Sequence, residues 1–123
     1  MNGLKKLLIA DDQAGIRMLL SEVFKNEGYE TILASNGEEA VQKLQTSKPD
    51  CILLDMKMPG LNGEEILQEI KSRCPDFPVI LMSAYDKAET SAADSDVQAD
   101  HYFTKPFDIH DLRRTISKLM QDS

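Results

Sequence analysis

Three short apolar runs in this chain each end on a side chain that can do chemistry. Leu7-Leu8-Ile9-Ala10 runs into Asp11-Asp12, Cys51-Ile52-Leu53-Leu54 into Asp55, and Val79-Ile80-Leu81-Met82 into Ser83. A fourth segment, His101 to Thr104, is followed by Lys105-Pro106-Phe107. Carboxylates with oxygen donors alone can hold a hard divalent cation, a hydroxyl can hydrogen-bond an anion, and a lysine can neutralise one. A lone Asp55 in a turn is better explained as a loop or capping aspartate. The repetition of the pattern sets this constellation apart from three ordinary loop residues.

Runs of this length suit strands buried on both faces, as in a parallel sheet, and the turn residues after Asp55, Pro59-Gly60 and Asn62-Gly63, forbid continuation. Helical patterns lie between the runs. From Ala14, steps of about 100° place Ile16, Leu19, Leu20, Val23 and Phe24 on one arc, with Arg17, Ser21, Glu22 and Lys25 facing away. Gly28 is the expected stop, and Tyr29 to Ala34 a second strand. Further helices are predicted over Glu38 to Thr46, with Ala40, Val41 and Leu44 inward, and after Gly63, with Ile66, Leu67 and Ile70 inward. Asp86 to Asp100 is rich in Ala, Ser and Asp and is assigned a short, poorly anchored helix. A closing helix capped near Asp108 carries Ile109, Leu112, Ile116, Leu119 and Met120. The expectation is an α/β domain: one doubly wound, five-stranded parallel sheet with five helices, in the flavodoxin-like order 2-1-3-4-5. In that order strands one and three are neighbours, so Asp11, Asp12 and Asp55 converge on one crevice.

Several function classes are excluded. At 123 residues the chain is expected to form one domain spanning 1–123, with no output domain. A net charge of -7 and a pI near 4.7 exclude a phosphate-backbone binder, so no nucleic-acid contact is expected. No apolar run approaches the roughly 18 residues that span a bilayer, and the N-terminus lacks a signal segment, so no membrane association is expected. Cys51 and Cys74 are too far apart for a CxxC motif; reduced structural thiols and a cytoplasmic location follow.

Like charges in one crevice cost on the order of a few kcal/mol per close pair at an effective dielectric of about 20, so a cation is expected. Oxygen-only donors favour Mg2+ over zinc, which would want His or Cys; His110 is assigned to the solvated start of the last helix and His101 to a strand edge. A carboxylate beside Mg2+ can attack a phosphoryl donor to give an aspartyl phosphate, with Ser83 and Lys105 holding the phosphoryl oxygens.

The set Asp11-Asp12, LLDMKMPGLNG with Asp55, MSA with Ser83 and KPF with Lys105 resembles the receiver domain of two-component response regulators, over essentially the whole chain. More narrowly, DDQAGIR, EVF, EGY, SAYD and KPFDI are similar to the single-domain sporulation phosphorelay regulators. The resemblance implies Asp55 as phosphoacceptor, with Asp11, Asp12, Asp55 and the backbone carbonyl of Lys57 around Mg2+. It implies Ser83 as switch hydroxyl, Tyr102 as aromatic switch, and Lys105 as a phosphoryl clamp preceding a cis peptide to Pro106. The implied partners are a histidine kinase, a histidine phosphotransferase and an aspartyl-phosphate phosphatase, acting on a monomer that catalyses only its own phosphorylation and dephosphorylation. The chain departs from the family in carrying Gln98-Ala99 for the usual Gly-Ala pair and in the polar stretch Thr90 to Asp96.

Ile16, Leu19, Pro106 and Phe107, with Gln13 beside them, are expected on the rim of the crevice as the histidine-bearing partner's docking patch; Ile16 and Leu19 serve equally well as core. Two rival chemistries fit less well. A phosphatase of the haloacid dehalogenase type wants a second acid two residues after the nucleophile, where this chain has Lys57. A flavodoxin places a hydroxyl- and glycine-rich phosphate loop where Asp11-Asp12 would repel the phosphate. A pseudo-receiver acting only by binding would have no need of the full acid set with Ser83 and Lys105.

Overall fold

The computed structural model describes residues 4–56, 58, 63–83, 99–105 and 107–121. The elements run β1 (Lys6–Ala10), α1 (Ala14–Asn26), β2 (Glu30–Ala34), α2 (Gly37–Thr46), β3 (Cys51–Asp55), α3 (Gly63–Arg73), β4 (Val79–Ser83), β5 (His101–Thr104) and α4 (Ile109–Gln121). All strand pairings are parallel, in the order β2-β1-β3-β4-β5. Five helices are expected and four lie among the described residues. The fifth, expected over Asp86 to Asp100, falls largely outside the described residues, as does the polar stretch Thr90 to Asp96.

The strand period of two divides the core between the faces of the sheet. Leu8, Ile52 and Val79 share one cross-strand row, and Ala10, Leu54 and Leu81 another; both rows pack against Ala40 of α2 and Ile66, Leu67 and Ile70 of α3. The rows between them, Leu7 with Cys51 and Ile9 with Leu53 and Ile80, face Leu20 and Phe24 of α1 and Leu112, Ile116 and Met120 of α4. Burial on both faces is why β1, β3 and β4 are almost continuously apolar. It also pushes the Cys51 thiol up to about 12, whereas Cys74 is exposed; both cysteines are free.

Helix α1 ends in a complete Schellman motif. Gly28, at φ +97, donates to Lys25 O at 3.0 Å, Tyr29 donates to Phe24 O at 3.0 Å, and the two rings lie 5.9 Å apart. Asp108 caps α4, its Oδ1 accepting from the His110 amide at 2.8 Å.

One face of α1 differs from expectation. Leu19, placed on the inner arc by periodicity, is 52% exposed, while Arg17 and Ser21, expected to face away, turn toward the sheet. Ser21 is buried with its Oγ 2.8 Å from Thr31 Oγ1 on β2. Stepping about 100° per residue puts Leu20, Phe24, Arg17 and Ser21 within one arc and Leu19 nearly opposite. The buried stripe is centred further round than the apolar residues alone indicate, because two polar side chains in it find partners.

Candidate functional site

The site lies at the carboxyl ends of the strands, where open parallel sheets bind ligands. Ala10 pairs with Leu54, so the next residues, Asp11 and Asp55, emerge side by side from β1 and β3. Asp55 pairs with Met82 at the end of β4, and Ser83 with Thr104 at the end of β5. The Lys105 amide donates to Ser83 O at 2.6 Å, tying the hydroxyl-bearing residue to the lysine-bearing turn.

Asp11 is fully buried although it lies past the strand, and each of its polar atoms has a partner. Its amide donates to Ala34 O at 3.1 Å, Oδ1 accepts from the Gln13 amide at 2.9 Å, Oδ2 from Lys105 Nζ at 2.8 Å, and its carbonyl from Arg17 Nη1 at 2.7 Å. Asp55 is 6% exposed, with Oδ2 3.6 Å from the same Lys105 Nζ. Asp12 is exposed. One carboxylate oxygen from each of Asp11, Asp12 and Asp55 lies within 4.8 Å of the others. Three anionic oxygens so close, two of them from buried residues and offset by one ammonium, suit a hard divalent cation such as Mg2+. His101 and His110 are exposed and stand apart from this cluster, so the donor set stays all-oxygen.

Tyr102 is half-buried against the α2–α3 side of the core, and its hydroxyl accepts from the Ala99 amide at 3.3 Å. Phe107 is half-buried too, edge-on to Phe103 at 6.4 Å. Ile16 packs on the same core, Gln13 is exposed at the N-cap of α1, and Leu19 is exposed. Lys57 and Pro106, expected as metal ligand and rim residue, lie outside the described residues.

Two residues at this site escaped the sequence expectations. The apolar arc of α1 leaves Arg17 out and points it to solvent; its partner, the Asp11 carbonyl, leaves no local signal in the sequence. Gly63 reads in the sequence only as a turn residue, but it opens α3 directly over the end of β3. A Cβ there would stand 2.8 Å from Met56 Cα and 3.2 Å from Asp55 O, while the Gly63 amide donates to Met56 O at 3.0 Å. Glycine is what lets α3 approach the backbone that carries Asp55.

Over residues 7–117 the chain matches the response regulator receiver domain family. It is 43% identical over 116 residues to sporulation initiation phosphotransferase F of Bacillus subtilis, covering 94% of each chain. It is 34% identical over 119 residues to the alkaline phosphatase synthesis transcriptional regulatory protein PhoP of the same species, covering 97% of this chain but 50% of that one. Among solved structures it resembles the response regulator TrrA of Thermotoga maritima in complex with Mg2+-BeF, at 37% identity and a TM-score of 0.83, covering 94% of this chain and 99% of that one. A receiver domain protein of Clostridium thermocellum superimposes with a TM-score of 0.87 at 28% identity, covering 97% and 96%.

Proposed function

The chain belongs to the response regulator receiver domain family, and from that premise we propose that Asp55 accepts a phosphoryl group from a phosphohistidine and relays it to the histidine of a second protein in a two-component phosphorelay. The donor is a histidine kinase or a histidine phosphotransferase, and the acceptor another phosphotransferase. The observation that carries this reading is the shared ammonium: Lys105 Nζ stands 2.8 Å from Asp11 Oδ2 and 3.6 Å from Asp55 Oδ2, between the proposed cation ligand and the proposed nucleophile. The 43% identity to a sporulation phosphotransferase supports the relay role.

In the forward step an oxygen of Asp55 attacks phosphorus, an O–P bond forms, and the N–P bond to the donor imidazole breaks, its electron pair staying on nitrogen. Asp11, Asp12 and Asp55, with the Lys57 carbonyl, would hold Mg2+. A cation held by these residues would supply the positive charge that offsets the carboxylates and the phosphoryl group. Lys105 pairs with a second phosphoryl oxygen, and the Ser83 hydroxyl donates to a third. Tyr102 and Ser83 together report the phosphorylated state. Gln13, Ile16, Leu19, Pro106 and Phe107 would receive the histidine-bearing partner, and an aspartyl-phosphate phosphatase would reset the site. The domain works as a cytoplasmic monomer; no helix among the described residues is long and apolar enough to cross a membrane.

The test is incubation with acetyl phosphate and Mg2+ followed by intact mass. The parent protein gains one phosphoryl group and Asp55→Asn gains none. Full labelling of Asp55→Asn, with the group mapped elsewhere, overturns the assignment.

A further inference from the structure

Arg17 brings no oxygen to the carboxylate cluster, yet it is bound to it. From the first turns of α1 its Nη1 reaches back 2.7 Å to the carbonyl of Asp11. That carbonyl belongs to the peptide plane joining Asp11 to Asp12, so holding it fixes the rotation of the plane and the direction in which Asp12 leaves the strand. The Asp11 side chain is anchored independently, by the Gln13 amide at 2.9 Å and Lys105 at 2.8 Å. Asp12 is exposed and has neither anchor; its placement beside Asp11 and Asp55 depends on the backbone. The Asp11 amide is tied separately to the next strand, donating to Ala34 O at 3.1 Å.

We propose that Arg17 is a positioning residue of the cation site: its hydrogen bond to the Asp11 carbonyl sets the orientation of Asp12 and through it the affinity for Mg2+. This inference rests on the assignment of Asp11, Asp12 and Asp55 as Mg2+ ligands. An arginine suits the task because its planar fork loses little further freedom when one donor is engaged. The opposing effect has a different sign. A cation near the site repels Mg2+, so if Arg17 acted only through its charge, removing it would tighten binding.

The measurement is calorimetric titration of Mg2+ into the parent, Arg17→Ala, Arg17→Gln and Arg17→Lys, well below their melting temperatures, with metal-free melts of each in chelator. Arg114→Ala is the control, because Arg114 is exposed and pairs with Asp111. Arg17→Ala is expected to weaken Mg2+ binding about tenfold, the low end for groups that hold a metal ligand in place. Arg17→Lys and Arg17→Gln, each keeping a donor on a different arm, fall between, and Arg114→Ala is unchanged. Unchanged or tighter binding by Arg17→Ala overturns the proposal, as does a loss of thermal stability with Mg2+ affinity intact. Should Arg17→Ala not fold, Gln decides: binding as tight as the parent's or tighter overturns the proposal. Failure of the parent to bind Mg2+ overturns the ligand assignment itself, a result distinct from a parent that binds and variants that bind equally.

Discussion

Lys105 Nζ lies 2.8 Å from Oδ2 of Asp11, a side chain with no solvent exposure, and the lysine itself is largely enclosed, at 18%. The pair closes the sheet's carboxyl edge, joining the residue after β1 to the residue after β5. Removing one partner of an enclosed pair leaves the other charged and unmatched. Lys105→Met is therefore expected to destabilise the metal-free protein by about 3 kcal/mol, the low end for such pairs. Mg2+ should restore part of it, because the ion can replace the lost positive charge. Chemical denaturation with and without Mg2+ measures both effects; a Lys105→Met protein as stable as its parent would show that the pair contributes nothing to the fold.

The parent should itself be stabilised by the ion. Folding brings three carboxylate oxygens within 4.8 Å of one another, a repulsion absent from the unfolded chain and offset in part by Lys105. Mg2+ at tenfold its dissociation constant should add about 1.4 kcal/mol. Asp12→Ala should raise the metal-free melting temperature and blunt the Mg2+ response, whereas Glu38→Ala, an exposed acid on α2, should do neither. Equal Mg2+ shifts in the parent and Asp12→Ala would remove Asp12 from the site.

The convergence of Asp11 and Asp55 was legible because β1, β3 and β4 are buried on both faces, so apolar runs mark them and the parallel order follows from their alternation with helices. The run lengths even fixed which residue stands at each strand mouth. The orientation of α1 was not legible at the same level. Counting apolar residues centres the stripe between Ile16 and Leu20, but Arg17 and Ser21 lie within it once Asp11 O and Thr31 Oγ1 supply partners, and those partners are known only after the strands are placed. Gly63 belongs to the same class: a close approach of helix to strand end leaves no local pattern beyond a glycine that also suits a turn.

That reorientation separates two residues that periodicity treated alike. Ile16 is half-buried against the α1–α4 side of the core, and Leu19 is 52% exposed. Leu19→Ala should slow phosphotransfer from a histidine-bearing partner about tenfold, equivalent to roughly 1.4 kcal/mol, with stability unchanged. Ile16→Ala should cost about 1–2 kcal/mol of stability, below the range for fully buried truncations, and any loss of transfer should come with it. Acetyl phosphate labelling separates docking from chemistry, since neither substitution touches the carboxylates. Normal transfer by Leu19→Ala would move the docking surface off this face of α1.

The last expectation concerns pH and the corner that β2 makes with α2. Asn36 Oδ1 accepts from the Glu39 amide at 2.8 Å, and Glu39 Oε1 in turn accepts from the Ser35 amide at 2.6 Å and the Ser35 hydroxyl at 3.1 Å. These bonds, the backbone one foremost, hold the Glu39 carboxyl below its ordinary value of 4.5. A depressed carboxyl means that the unfolded chain binds the proton more tightly than the native state, so its contribution is complete above 4.5 and is lost as pH falls through the lower folded value. Glu39→Gln should thus melt below the parent near neutral pH, and the gap should close in strong acid, where the parent's carboxyl is protonated too. Asn36→Ala, which removes a neutral cap, should cost about 1 kcal/mol at either pH. Melting curves of the three proteins across that range decide between a charge-dependent corner and a merely packed one: a Glu39→Gln gap that persists unchanged into acid would show that the ionised carboxylate is not what holds Ser35.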